Sequence, residues 1–232
     1  MSDIEMRQIS AQHCLHSYSG EGRPNFLKRL TYLAKRGFDI VAASAMLVLA
    51  LPLMVVTAAA VALDGGPILY LANRIGSKGA PFKCIKFRTM FADAEESLEE
   101  YLYYHQSERI EWLQNHKLVF DPRVTPIGRF LRRSSIDELP QFINVIRGEM
   151  SLVGPRPVTQ AELDNHYGPK AEFYKSMRPG MTGLWQVSGR NDVKYATRVA
   201  LDEQYVRQWR FTLDILILFR TFRVVLSSRG AR

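Results

Sequence analysis

The chain has 232 residues, with 31 Lys+Arg against 23 Asp+Glu and a formal net charge of +8 at pH 7. That length suits one domain with a sizeable core plus appendages, and the basic balance points to nucleic acid, anionic lipid or a phosphorylated substrate as partner. The two cysteines, Cys14 and Cys84, lie far apart and the five histidines are scattered, which argues against a disulfide framework and against a zinc site; there is no Walker A loop, no GxSxG elbow and no internal repeat.

Residues 1–26 are polar, lack the apolar core of a signal peptide and are expected to form a mobile tail. The segment 27–64 opens with a cationic amphipathic pattern, in which Lys28, Arg29, Lys35 and Arg36 interleave with Leu27, Leu30, Tyr32 and Leu33. Such a pattern suits an anionic membrane surface. Ile40 to Leu63 follows without a single charge and is long enough to cross a bilayer as a helix. Pro52 sits near its middle, where it should break or kink the helix. Basic residues flank both ends: Lys35 and Arg36 before, Arg74, Lys78, Lys83, Lys86 and Arg88 after. The positive-inside rule then places both ends on the cytoplasmic side, and a re-entrant hairpin broken at Pro52 satisfies both demands. A kinked spanning helix and a buried soluble helix are the competing readings.

From residue 65 to 232 the pattern is that of one compact domain. Asp64-Gly65-Gly66-Pro67 reads as a turn, followed by strands over Ile68–Leu71 and Phe82–Arg88 joined by a Gly-containing loop. Alternation on the second strand puts Lys86 and Arg88 on one face, a candidate phosphate grip, or else a solvated strand face. Ala92 to His116 reads as one or two exposed helices. Thr159 to Ser176, Tyr195 to Trp209 and the strongly apolar Leu213 to Leu226 read as further helices, the last with Arg220 and Arg223 snorkelling from one side.

The chemistry concentrates in Arg129-Phe130-Leu131-Arg132-Arg133-Ser134-Ser135-Ile136-Asp137-Glu138-Leu139-Pro140-Gln141. Asp137 is placed to be the N-cap of a helix through Phe142, Ile143, Val145 and Ile146 that ends at Gly148. A capped amphipathic helix explains the pattern. So does an ionised carboxylate whose pKa is depressed by neighbouring arginines and a helix N-terminus, supplying a nucleophile beside an anion site. Downstream, Pro155-Arg156-Pro157 presents a guanidinium from a rigid backbone, which suits bidentate phosphate binding. The Gly-punctuated stretch Arg178 to Asn191 adds Arg178 and Arg190 for anions and Trp185 for stacking or packing.

Taken together, Lys35-Arg36-Gly37-Phe38-Asp39, Lys86-Phe87-Arg88-Thr89-Met90, Asp137-Glu138-Leu139-Pro140-Gln141, Ser151-Leu152-Val153-Gly154-Pro155-Arg156-Pro157, Arg178-Pro179-Gly180 and Gly189-Arg190-Asn191 resemble the bacterial sugar transferases, the monotopic polyprenyl-phosphate phosphoglycosyl transferases. The match runs from about Lys35 to Gly230 with the motifs in the family's order, and is most like the galactosyl-phosphate transferases of exopolysaccharide synthesis. The resemblance implies transfer of a sugar 1-phosphate from a UDP-sugar to undecaprenyl phosphate, with release of UMP and with magnesium (Mg2+). It makes Asp137 the nucleophile and gives Glu138 an assisting role, in holding the metal or moving a proton. Asp137 and Glu138 are thus the implied metal ligands, with Lys86, Arg88, Arg132, Arg156, Arg178 and Arg190 as phosphate and substrate contacts. It also implies residence at the bacterial inner membrane with the catalytic domain on the cytoplasmic face. The family's helix break is a Ser-Pro pair; here it is Leu51-Pro52.

The expected fold is α+β and mostly helical: an N-terminal re-entrant membrane helix hairpin, a small β-hairpin, and amphipathic interfacial helices around the catalytic domain. A catalytically inactive membrane scaffold is disfavoured by the intact Asp137, Glu138 and Arg156. A nucleic-acid-binding protein fits the charge but has no place for the apolar run. Neither the sugar nor a homo-oligomeric state can be read from the sequence.

Overall fold

The computed structural model describes residues 25–91, 93–115, 118, 121–188 and 194–227. The expected tail therefore lies outside the described residues up to residue 24, as does Arg190. The chain divides into two compact units, Met1–Arg36 and Gly37–Arg232. What is described of the first is the opening of helix α1, Asn25–Ala62.

Among the described residues α1 is the one helix long and apolar enough to cross a membrane. Most of its apolar side chains face outward: Val41 is 70% exposed, Leu49 76% and Val56 66%. The helix runs through Pro52 without an interruption. A re-entrant path over Ile40–Leu63 would therefore come from a kink at the missing N–H, not from a break in the helix. Its inner stripe is part of the core of the second unit. Ala43 enters the main core with Val145, Met150 and Tyr205, while Val61 packs with Phe87 and Leu131.

The β-hairpin pairs β1 (Leu69–Ile75) with β2 (Pro81–Phe87) antiparallel, Tyr70 opposite Lys86 and Ala72 opposite Cys84. The exposed segment after it forms two helices, α2 (Ala94–Tyr104) and α3 (Gln106–Asn115). Then come α4 (Pro126–Ser134) and α5 (Gln141–Arg147). A second, parallel pair joins β3 (Ser151–Val153) to β4 (Gly180–Thr182), with Ser151 opposite Gly180. These strands are three residues each, too short for alternation to reveal them in sequence.

The continuous helix expected over Thr159–Ser176 is divided. Thr159 and Glu162 form a reciprocal capping box at the start of α6 (Gln160–Glu162), and a wider turn follows over Leu163–Tyr167. Gly168, at φ 50°, and Pro169 then separate it from α7 (Ala171–Lys175). The expected loop after Arg178 contains β4 and the short helix α8 (Leu184–Ser188). The chain closes with α9 (Tyr195–Arg207) and α10 (Phe211–Ser227). Tyr205, wholly buried, donates its hydroxyl to Val153 O at 3.1 Å and Asp214 Oδ1 at 2.7 Å, fastening both helices to β3.

Candidate active site

The acidic pair is positioned by the end of α4. Thr125 caps that helix, its Oγ1 accepting from Gly128 N at 2.9 Å, with Pro126 in the first turn. Gly128 is needed for packing, since a Cβ there would lie 2.1 Å from Thr89 O. The helix stops because Ser135 takes a left-handed conformation, φ 58°. A 3₁₀ turn, Ile136–Glu138, then carries both carboxylates. Asp137 is not the expected N-cap: α5 begins four residues later behind Pro140, with no side-chain cap. The one-turn bond from Leu139 N to Ile136 O occupies the amide donor that an Asp137 cap would have taken, and Pro140, the next position, has no N–H to offer.

Cations approach the pair from three elements. From β2, Lys86 Nζ donates to Glu138 Oε1 at 2.7 Å. On α4, Arg132 donates Nε to Thr89 Oγ1 at 2.9 Å, and its charge acts on Asp137. After β3, Arg156 acts on Glu138 through its charge. The strand and the helix flanking the pair are joined by Asn144 of α5, which is wholly buried. Its Oδ1 accepts from Ile85 N at 3.0 Å and its Nδ2 donates to Lys83 O at 2.8 Å, closing the outer edge of β2 with a side chain.

The electrostatics correct the expected depressed pKa at Asp137. Burial first, and then the charge of Glu138, push its carboxyl up to about 6 against the pull of Lys86 and Arg132. Burial also raises Glu138. There, however, the charge and hydrogen bond of Lys86, with help from Arg156 and a hydrogen bond from Gln141, outweigh it and hold the group below the usual carboxylate range. The pair is thus differentiated: Glu138 ionised and tied to Lys86, Asp137 buried and titrating nearer neutrality.

Two expected phosphate contacts are engaged elsewhere. Arg88 is buried, donating to Pro67 O at 2.5 Å, Val61 O at 3.1 Å, Met90 O at 3.3 Å and the Asp64 carboxylate. It closes the C-terminal end of α1 and the turn after it, where helix carbonyls lack amide partners. Arg178 donates Nε to Gly148 O at 2.8 Å, at the far end of α5 from the acidic pair. The structure therefore brings Lys86, Arg132 and Arg156 to Asp137 and Glu138, and sends Arg88 and Arg178 to carbonyl groups. Sequence reasoning gave no role to Thr89 and Gln141, although both lie inside the quoted motifs, and missed Asn144, which matches no motif.

Among the described residues there is no group of three or more His, Cys, Asp or Glu placed to hold a metal ion. Asp137 and Glu138 alone offer two carboxylates, which fits the way magnesium is held by one or two carboxylates together with substrate phosphates.

Known proteins resemble this chain over most of its length. The family model for bacterial sugar transferases matches residues 30–228. The exopolysaccharide production protein ExoY of Rhizobium meliloti is 52% identical over 200 residues, covering 86% of this chain and 88% of that protein. The UDP-galactose-lipid carrier transferase of Erwinia amylovora is 50% identical over 207 residues, covering 89% of this chain and 43% of that protein. The undecaprenyl-phosphate galactose phosphotransferase of Salmonella typhimurium is 49% identical over the same length and share. The chain thus spans less than half of the latter two relatives and most of the first. With a family match from residue 30 to residue 228 and its acidic pair ringed by Lys86, Arg132 and Arg156, the chain belongs to the bacterial sugar transferase family.

Proposed function

We propose that this protein is a membrane-bound phosphoglycosyl transferase. It moves a hexose 1-phosphate, galactose or glucose, from a UDP-sugar to undecaprenyl phosphate and releases UMP, as the first step of exopolysaccharide synthesis. The observation that carries the reading is the buried Asp137 beside an ion-paired Glu138, with three cations around them, in a member of this family. Relatives named for galactose and glucose phosphotransfer support the hexose. A relative named for N-acetylgalactosamine phosphotransfer is more distant, at 37% identity.

In this mechanism a carboxylate oxygen of Asp137 attacks the sugar-bearing phosphorus. The bond from that phosphorus to the bridging oxygen breaks, and UMP departs. The phosphate oxygen of undecaprenyl phosphate then attacks the same phosphorus, the aspartyl–phosphorus bond breaks, and Asp137 is regenerated as carboxylate. Two steps keep the anionic donor and acceptor from having to meet directly. Arg132 and Arg156 hold phosphate oxygens as charge shifts between them. Glu138, fixed by Lys86, keeps the ammonium beside the nucleophile. Asp137 and Glu138 would hold magnesium, which when bound neutralises part of the diphosphate charge. Helix α1 enters the inner membrane and, by kinking at Pro52, returns to the cytoplasmic face, where the catalytic unit meets the lipid phosphate. Cysteines placed at positions 23 and 78 should both resist labelling from outside the cell; labelling at either one would show a crossing helix.

The deciding experiment incubates purified protein with undecaprenyl phosphate and a panel of UDP-sugars and measures UMP. UDP-galactose or UDP-glucose should give turnover. Without lipid, wild type should release UMP up to one equivalent and gain the mass of a hexose phosphate on the peptide holding Asp137. Asp137→Asn should lose both. Turnover by Asp137→Asn at a rate near wild type would assign the attack to another group.

A further inference from the structure

The mechanism leaves a second cluster of charge unused, on the far side of Arg156. Trp185 of α8 is buried at 3% exposure. The Arg156 guanidinium lies 5.6 Å from the centroid of its ring, and that of Arg198, from α9, lies 4.9 Å from the same ring. One indole therefore carries two guanidiniums, whose separation is bounded by the sum of those distances. The scaffold holding them is rigid. Gly183, just before α8, abuts the carbonyl of Gly154, two residues from Arg156, where a Cβ would come within 2.3 Å. One turn beyond Arg198, the buried Asp202 accepts the Tyr167 hydroxyl at 2.9 Å, and the Arg156 backbone N–H acts on its carboxylate. Arg198 also lies 5.9 Å from the ring of Tyr195, whose hydroxyl donates to Glu162 at 3.2 Å.

Charge bookkeeping in this corner is uneven. Glu162 is already committed to Thr159 N at 2.8 Å, Thr159 Oγ1 at 3.0 Å and the Tyr195 hydroxyl, and its one charge is shared electrostatically by Arg74, Arg156 and Arg198. Burial, and then the like charge of Arg156, work against the protonated form of Arg198. Two cations held against one indole, within reach of each other's charge, are an arrangement that an anion bound to both would stabilise.

We propose that Arg198 and Arg156 form a two-arginine clamp on Trp185 that holds a phosphate group of the substrate next to Glu138. This deepens the phosphoglycosyl-transfer reading and rests on it. The shared chemistry is a phosphoryl group; it belongs either to the donor diphosphate or to the lipid phosphate, and kinetics separate the two.

The test uses the full chain in detergent or nanodiscs. Arg198→Met keeps an apolar stem over the indole and removes the charge; Arg198→Lys keeps the charge without the fork. In Arg198→Met the KM for one substrate should rise about ten- to hundredfold, the worth of a hydrogen bond to a charged group, with a smaller change in kcat. A rise for UDP-sugar assigns the clamp to the donor, and a rise for undecaprenyl phosphate assigns it to the lipid. Arg198→Lys should recover part of the loss. A second arm is independent of turnover: inorganic pyrophosphate should raise the melting temperature of wild type but not of Arg198→Met. Unchanged KM values in folded Arg198→Met, or equal pyrophosphate stabilisation of both proteins, would overturn the clamp while leaving the transfer reading intact. If wild type turns over no UDP-sugar, the transfer reading fails and the pyrophosphate arm decides the clamp alone.

Discussion

Lys86 Nζ lies 2.7 Å from Glu138 Oε1, and the same ammonium lowers the pKa of the neighbouring Asp137. One strand-borne cation therefore serves two adjacent carboxylates, pairing with one and moderating the burial of the other. This links the β-hairpin, a minor element of the fold, to Asp137, the proposed nucleophile.

The link has a measurable consequence in pH. A carboxylate attacks phosphorus only when ionised, so donor cleavage should fall as pH drops through about 6, where burial and Glu138 have placed Asp137. Lys86→Met removes a charge that lowers both groups, so the acid limb of the UMP-release profile should move to higher pH. A limb at the wild-type position would show that Lys86 does not act on the nucleophile.

Stability follows with a definite sign. The folded pKa of Asp137 is raised, so the fold favours its protonated form; that contribution is complete below the ordinary carboxylate pKa and is lost as pH rises through about 6. Asp137→Asn should therefore melt above wild type at about pH 8, with the difference shrinking toward about pH 4. A difference that grows on acidification would mean the carboxylate is held ionised.

Arg88 separates structural from substrate-binding arginines. Its guanidinium meets three backbone carbonyls and Asp64 in a buried setting. Arg88→Lys cannot satisfy these together, and should cost about 3 kcal/mol or more in unfolding, read by denaturant titration. The KM for UDP-sugar of the folded fraction should stay near wild type. Wild-type stability with weakened donor binding would return Arg88 to the phosphate site.

The difference between Arg88 and Lys86 also shows what the sequence could carry. Both sit in Lys86-Phe87-Arg88, and alternation puts them on one face. Whether a cation ends on a carboxylate, a carbonyl or a phosphate depends on where α1 ends and where Glu138 arrives, which are tertiary facts. The long apolar helix, the hairpin and the acidic pair were legible because each has strong periodicity or a local motif. The parallel β3–β4 pair was not, because three-residue strands carry no period, and the turn holding Asp137 was not, because a serine does not announce a left-handed backbone.

That parallel pair makes its own prediction. A Cβ on Gly180 would lie 2.1 Å from Gly154 N, in the segment leading into Arg156, and 2.5 Å from Thr182 O of its own strand, both backbone atoms. Gly180→Ala should abolish soluble folded protein or turnover. Gly37→Ala is the control: it lies inside α1 with nothing within 4 Å, and should stabilise the helix by about 1 kcal/mol. Comparable melting of both variants would show that the Gly154–Gly180 contact is loose.

Ser135 decides where Asp137 points. It holds φ 58° between the arginine-bearing end of α4 and the turn with both carboxylates. A left-handed L-residue costs roughly 1–2 kcal/mol, most for a β-branched side chain, and glycine escapes it. Ser135→Gly relieves that strain but loosens the unfolded chain, so its stability should stay within about 1 kcal/mol of wild type. Ser135→Val should lose about 2 kcal/mol or more, or force the turn open. An opened turn would carry Asp137 away from Arg132 and Lys86, so Ser135→Val should lose UMP release even at temperatures where it remains folded, whereas Ser135→Gly should keep it. If valine supports wild-type stability and turnover, the left-handed turn is dispensable and the orientation of Asp137 is set by its packing alone.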